Sequence, residues 1–187
     1  MRDEIRKCVG ILREGGIIVY PTDTIWGIGC DATNRDAVNR IYTIKERDPS
    51  KSMLILVDQP GRITGYVLEV PGIAWELLEV NPEPMTLIYP GAKNLAENLP
   101  AEDGSIGIRV TEDPFCSNLV RQLGKPIVST SANFSGAPAP ALFEEIDEEL
   151  LERTDYVADW RREEQIARKP SSVIRVGPGG RIEVIRK

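Results

Sequence analysis

Ile5, Cys8, Val9 and Leu12 recur at helical spacing, and Gly15-Gly16 closes that run, so the chain opens with an amphipathic helix. Gly16 to Tyr20 is a short apolar run and reads as a buried strand leading into Pro21-Thr22-Asp23-Thr24, which has no regular pattern. Asn34 is a good N-cap for a second helix carrying Ala37, Val38, Ile41 and Ile44 on one face. That helix must end before Pro49, because the residue preceding a proline avoids helical backbone. Met53 to Val57 is a further buried strand.

The same alternation continues. Trp75, Leu77 and Leu78 suggest a short helix, and Thr86–Tyr89 and Ile106–Val110 read as strands. Asp113-Pro114 supplies an N-cap with proline in the first helical position, and Gly124 ends that helix. Pro126 to Ser129 is a strand opening into Thr130-Ser131-Ala132-Asn133-Phe134-Ser135-Gly136. An acidic helix is expected over Leu142–Glu152, with a solvated outer face. Strands at Ser172–Val176 and Arg181–Arg186 flank a Gly-Pro-Gly-Gly turn. Strands and helices interleave without repeats or linkers, so the expected class is α/β with one domain over residues 1–187.

Composition narrows the chemistry. The 187 residues include no histidine, which excludes a Ser-His-Asp triad, a Cys-His pair and any histidine metal site. Cys8, Cys30 and Cys116 lack metal-ligand spacing and read as small buried hydrophobes. The formal charge is −6, whereas a protein that lives on nucleic acid usually carries a basic footprint. No run has the length of a signal peptide or membrane span, so a cytoplasmic location is expected.

Polar residues gather where strands end: Thr22 and Thr24 after the first, Arg109 near the end of another, and Ser129, Ser131 and Asn133 around a third. Open α/β sheets bind ligands beyond strand ends, although hydroxyl and amide residues are also common in plain turns. Lys45, Arg47 and Lys51 lie just past the second helix. They could simply complement its dipole. If the helix breaks, Lys45 and Arg47 could instead converge on one anion, the lysine as a point charge and the arginine as a planar fork. No P-loop or dinucleotide fingerprint is present.

Tyr20-Pro21-Thr22-Asp23-Thr24-Ile25-Trp26-Gly27-Ile28-Gly29-Cys30-Asp31 resembles the opening signature of the YrdC family. Lys45-x-Arg47, with Lys51 and Met53-Leu54-Ile55-Leu56 behind it, is similar to that family's KxR motif, and Ser131-x-Asn133 to its SxN motif. The resemblance runs from about Ile17 to the C-terminus and is closest to the single-domain branch. It implies a twisted mixed sheet with flanking helices around a concave, positively lined cavity, as in YrdC and RibB-like proteins.

The implied activity is that of a nucleotidyltransferase. ATP, L-threonine and bicarbonate give threonylcarbamoyl-adenylate and pyrophosphate, and further enzymes then transfer the threonylcarbamoyl group to tRNA. The resemblance assigns Lys45, Arg47, Ser131 and Asn133 to catalysis. These residues, with Lys51, Thr86 and Arg186, would bind ATP; Thr22, Thr24, Arg109, Ser129 and Ser171 would bind threonine. Mg²⁺ would accompany ATP, and no protein metal ligand can be named. Two other readings are a double-stranded RNA-binding module in translation or ribosome maturation, and carbamoyl transfer. The acidic charge and sparse aromatics weigh against the first. The multidomain carbamoyltransferases that contain such a domain carry zinc-finger cysteines, which this chain lacks.

Overall fold

Alternation along the strands gives the sheet one wholly apolar face and one divided face. The computed structural model describes residues 1–187. Its strands are β1 (Ile18–Tyr20), β2 (Gly27–Gly29), β3 (Leu54–Val57), β4 (Met85–Tyr89), β5 (Ile106–Val110), β6 (Ile127–Ser131), β7 (Tyr156–Val157), β8 (Ser172–Gly177) and β9 (Arg181–Arg186). They form one mixed sheet in the order β7-β1-β2-β6-β3-β5-β4-β8-β9. The helices are α1 (Arg2–Arg13), α2 (Arg35–Ile44), α3 (Gly72–Val80), α4 (Pro114–Leu123) and α5 (Glu148–Glu152).

On one face, Ile55, Val57, Leu87, Tyr89, Ile106, Ile108 and Val128 join Ala37, Val38 and Ile41 of α2 in the larger core. On the other, Ile18, Tyr20, Leu56 and Ile127 are covered by Ile5, Cys8 and Leu12 of α1 and by Phe115, Leu119 and Val120 of α4. Each fully buried side chain of this size contributes about 1.5–3 kcal/mol. That second cover ends near β3. Beyond it, the same face over β5, β4, β8 and β9 has no helix upon it. Side chains there stand in two rows set by strand register: Arg109, Thr86, Val173 and Arg186 in one, and Gly107, Ile88 and Arg175 in the next.

The expected elements and caps are largely present. Asn34 Oδ1 accepts from Ala37 N at 3.0 Å, and Asp113 Oδ1 from Phe115 N and Cys116 N at 3.0 and 2.9 Å. All three cysteines are free and buried. Besides the short β7, which the sequence reading did not include, three features differ from it. β6 runs on to Ser131, because Thr130 and Ser131 pair with Ile28 and Gly27 of β2. β2 itself is a Gly-Ile-Gly strand that strand propensity disfavours. Its Gly29 is required by packing, since a Cβ there would lie 2.1 Å from the Val128 carbonyl oxygen. The acidic segment is not one helix. A 3-10 turn over Phe143–Glu145 is followed by extended Ile146 and Asp147, and α5 begins only at Glu148. Glu145 Oε2 caps the turn by accepting from Ala141 N and Leu142 N, while Asp147 accepts from Glu149 N. Short acidic side chains satisfying nearby N–H groups favour such breaks over a continuous helix.

Candidate active site

The uncovered half of the sheet face is the floor of a cavity of about 350 Å³, within the range of small-molecule sites. Thr22, Thr24, Arg47, Thr86, Arg109, Ser129, Ser131, Ser171 and Arg186 all line it. Residues as far apart in the chain as Thr22 and Arg186 thus meet in one place. Leu54, Gly107, Ile88 and Val173 supply an apolar centre between the polar groups.

At one end, the Pro21–Ile25 loop folds upon itself. The Thr22 and Thr24 hydroxyls lie 2.9 Å apart, and Thr22 Oγ1 also donates to the Ile25 carbonyl and accepts from Thr24 N. Arg109 NH1 donates to Thr24 Oγ1 at 2.9 Å, while its NH2 lies 3.2 Å from Asp23 Oδ1. Arg109 is only 3% exposed, so its charge needs such partners. Its Nε has none. Beside it, Thr86 and Ser171 share a hydrogen bond of 2.9 Å between their hydroxyls. This end therefore offers a guanidinium and several hydroxyls, the groups that recognise a carboxylate and a hydroxyl.

Two guanidinium groups of the lining, those of Arg47 and Arg186, meet no carboxylate. Arg47 Nε and NH2 donate to the carbonyls of Lys51 and Ser52 at 2.9 and 3.0 Å. Arg186 donates twice to the Ser171 carbonyl at 3.0 and 2.8 Å. Partial burial pulls both guanidinium pKa values below their ordinary value, and for Arg186 the charge of Arg109 adds to this. Arg175 is the fourth arginine of the lining, held by Asp103 at 2.9 Å. No Asp or Glu lines the cavity, and no cluster of His, Cys, Asp or Glu suited to a metal ion exists in the chain. Arg109 and Arg175 are paired with Asp23 and Asp103, which leaves Arg47 and Arg186 as the charges with which the chamber can accept an anion.

Lys45, Asn133 and Lys51 are placed differently. Lys45 and Arg47 do not converge on a common point in the cavity. α2 ends at Ile44, Glu46 turns through φ 51°, and the two side chains separate. Arg47 enters the cavity wall, whereas Lys45 is buried with its Nζ on the carbonyls of Ser131 and Asn133 and 3.3 Å from Asn133 Oδ1. Asn133 Nδ2 donates to the Ala137 carbonyl, so this amide braces its own loop. Lys51 is exposed, and its carbonyl serves Arg47.

Sequence reasoning missed Arg175, Gly107 and Ser105, which also line the cavity. Arg175 shares strand parity with Val173, and Gly107 with Arg109, so the signal was present. It becomes legible only once register shows which face of each strand is uncovered.

The Sua5/YciO/YrdC family model, described as telomere recombination, matches residues 10–187. A protein of Pseudoalteromonas translucida named threonylcarbamoyl-AMP synthase is 33% identical over 158 residues, covering 83% of this chain and 84% of its own. The crystal structure of Escherichia coli YciO superposes with a TM-score of 0.86 at 27% identity, covering all of this chain and 90% of that one. Pyrococcus abyssi Sua5, solved in complex with L-threonine, shares the fold with a TM-score of 0.82 at 24% identity; the match covers 92% of this chain and half of that longer protein. A family model matched over nearly the whole chain, together with these relatives, establishes that the chain belongs to the Sua5/YciO/YrdC family.

Proposed function

We propose that this protein is a threonylcarbamoyl-AMP synthase, a nucleotidyltransferase that makes threonylcarbamoyl-adenylate and pyrophosphate from ATP, L-threonine and bicarbonate. The observation that carries the proposal is the division of the cavity. One part gathers Thr22, Thr24, Thr86, Ser171 and a buried arginine; Arg186 adjoins it through the Ser171 carbonyl, and neither Arg186 nor Arg47 has a carboxylate partner. That part suits the carboxylate and hydroxyl of threonine, and the two guanidinium groups without a carboxylate suit a polyphosphate. Family membership and the relatives named for this activity support the same reading.

The chemistry follows from that division. Bicarbonate takes up a proton and loses water to give carbon dioxide. The threonine amine attacks its carbon, forming a carbamate and releasing a proton. A carbamate oxygen then attacks the α-phosphorus of ATP, forming one P–O bond as the bond to the β-phosphate breaks and pyrophosphate departs. Both reactants are anionic, so the barrier lies largely in repulsion and alignment. Guanidinium groups fixed in advance offset the charge growing on phosphate. The chain has no histidine, and orientation does the rest. Mg²⁺ enters as part of the nucleotide substrate. A lining without carboxylates leaves its coordination to phosphate oxygens, hydroxyls and water.

In this reading, Thr22, Thr24, Arg109, Ser129 and Ser171 contact threonine, while Arg47, Ser131 and Arg186 contact ATP; Thr86, expected at the nucleotide, joins the threonine end because its hydroxyl bonds to that of Ser171. Lys45 and Asn133 hold the Ser131 loop in shape. Residues 1–187 act as one YrdC-like domain. The product is an activated carbamate that downstream enzymes pass to tRNA in the cytoplasm. No helix is long and apolar enough to cross a membrane. The test is pyrophosphate release from ATP that requires both threonine and bicarbonate.

A further inference from the structure

The loop bearing Thr22 and Thr24 is held from behind by a residue that lines no part of the cavity. The segment between β7 and β8 packs beside this loop. There, Arg161 NH2 donates to the main-chain carbonyl of Thr22 at 3.1 Å, and its NH1 to Asp113 Oδ2 at 3.0 Å. Asp113 is itself anchored, its Oδ1 accepting from the first N–H groups of α4. The preceding carbonyl, that of Pro21, accepts from the Cys116 thiol at 3.4 Å. Two successive carbonyls of the loop are thus tied to the start of α4, one directly and one through Arg161.

Arg161 is set for this in two further ways. Trp160 stacks on Phe115 of α4, with ring centroids 6.4 Å apart and planes 10° apart, which fixes the neighbouring backbone. Arg161 also takes φ 57°, a left-handed conformation uncommon in non-glycine residues, which persists where surrounding contacts determine it.

We propose that Arg161, bridging Asp113 and the Thr22 carbonyl, is a positioning residue that sets threonine affinity by holding the Thr22 and Thr24 hydroxyls and, through Thr24, the Arg109 guanidinium. The inference rests on the threonine pocket proposed above. The guanidinium acts through the backbone of Thr22 and has no link to Arg47 or Ser131, so its loss should be felt by one substrate. A shift of about 1 Å in such a group costs up to roughly a hundredfold.

The experiment compares the wild type with Arg161→Gly and Arg161→Lys. Glycine keeps the left-handed backbone without strain and deletes the guanidinium. Lysine retains a cation able to reach one partner. Two readouts are taken: KM for threonine and for ATP in pyrophosphate release, and amide hydrogen exchange over residues 22–26 of the substrate-free protein. In Arg161→Gly, the threonine KM should rise roughly tenfold or more while the ATP KM stays within about twofold, with faster exchange over 22–26. Arg161→Lys should recover part of both. An unchanged threonine KM with unchanged exchange in Arg161→Gly, or equal increases in both KM values, would overturn the proposal. If the wild type shows no threonine-dependent turnover, the reading of the reaction fails. The exchange arm then decides the loop-holding role by itself.

Discussion

Lys45 meets Asn133 twice: its Nζ donates to the asparagine's main-chain carbonyl at 2.6 Å and lies 3.3 Å from Oδ1. With the Ser131 carbonyl as a third acceptor, the amino group of one motif holds the loop of the other. Its part is structural before it is electrostatic. Lys45→Met should leave those carbonyls unpartnered and lower stability by about 1–3 kcal/mol. Arg47→Ala should disturb the melting temperature less, yet reduce kcat/KM for ATP roughly a hundredfold. Thermal melts of both variants check this, and wild-type stability in Lys45→Met would contradict it.

The same lysine gives stability a pH dependence. Burial, aided by the charge of Arg47, pulls its pKa from 10.5 down to about 7. In the unfolded chain it returns to its ordinary value, so between those two limits the unfolded state binds the extra proton. Stability from this group is therefore fully present above about 10.5 and is lost as pH falls through about 7. The melting temperature of the wild type relative to Lys45→Met should rise between about pH 6.5 and about pH 9. A constant difference would count against the assignment.

Much of this was legible in the sequence, for reasons that differ by residue. Asn34 and Asp113 announce helix starts because capping is local. Thr22, Ser129 and Arg109 stand in or beside short apolar runs, where polar residues are costly without a purpose. What could not be read depends on partners distant in sequence. β2 exists because β1 and β6 flank it, and Gly29 fits only because Val128 lies so close. The orientation of Lys45 depends on carbonyls some 86 positions along the chain. Arg175 belongs to the cavity only through its register with Ile88.

Substrate choice should follow the hydroxyls. A pocket that hydrogen-bonds a substrate hydroxyl leaves its own polar groups unpaired when that hydroxyl is missing. Threonine should therefore be preferred over valine by roughly 10⁴ in kcat/KM. Thr22→Val should narrow that preference. Competition assays with the two amino acids provide the measurement, and equal turnover would exclude a hydroxyl-reading pocket.

Binding to double-stranded RNA should be weak, fall steeply between about 50 and 200 mM salt, and be displaced by ATP. The chain is acidic overall, and four arginines line its cavity. Buried Lys45 should add little, whereas Arg47→Ala should weaken binding. An RNA titration with and without ATP tests this. Tight, salt-resistant binding that ATP leaves untouched would place an RNA surface elsewhere and favour the RNA-binding reading.

The central claim is that one cavity joins threonine, bicarbonate and ATP. Its most direct test is pyrophosphate release by the purified protein with each substrate omitted in turn. The account predicts release only when ATP, L-threonine and bicarbonate are all present, with a threonylcarbamoyl-adenylate product formed in equal amount. Release from ATP alone, or release unaffected by withholding threonine or bicarbonate, would contradict it.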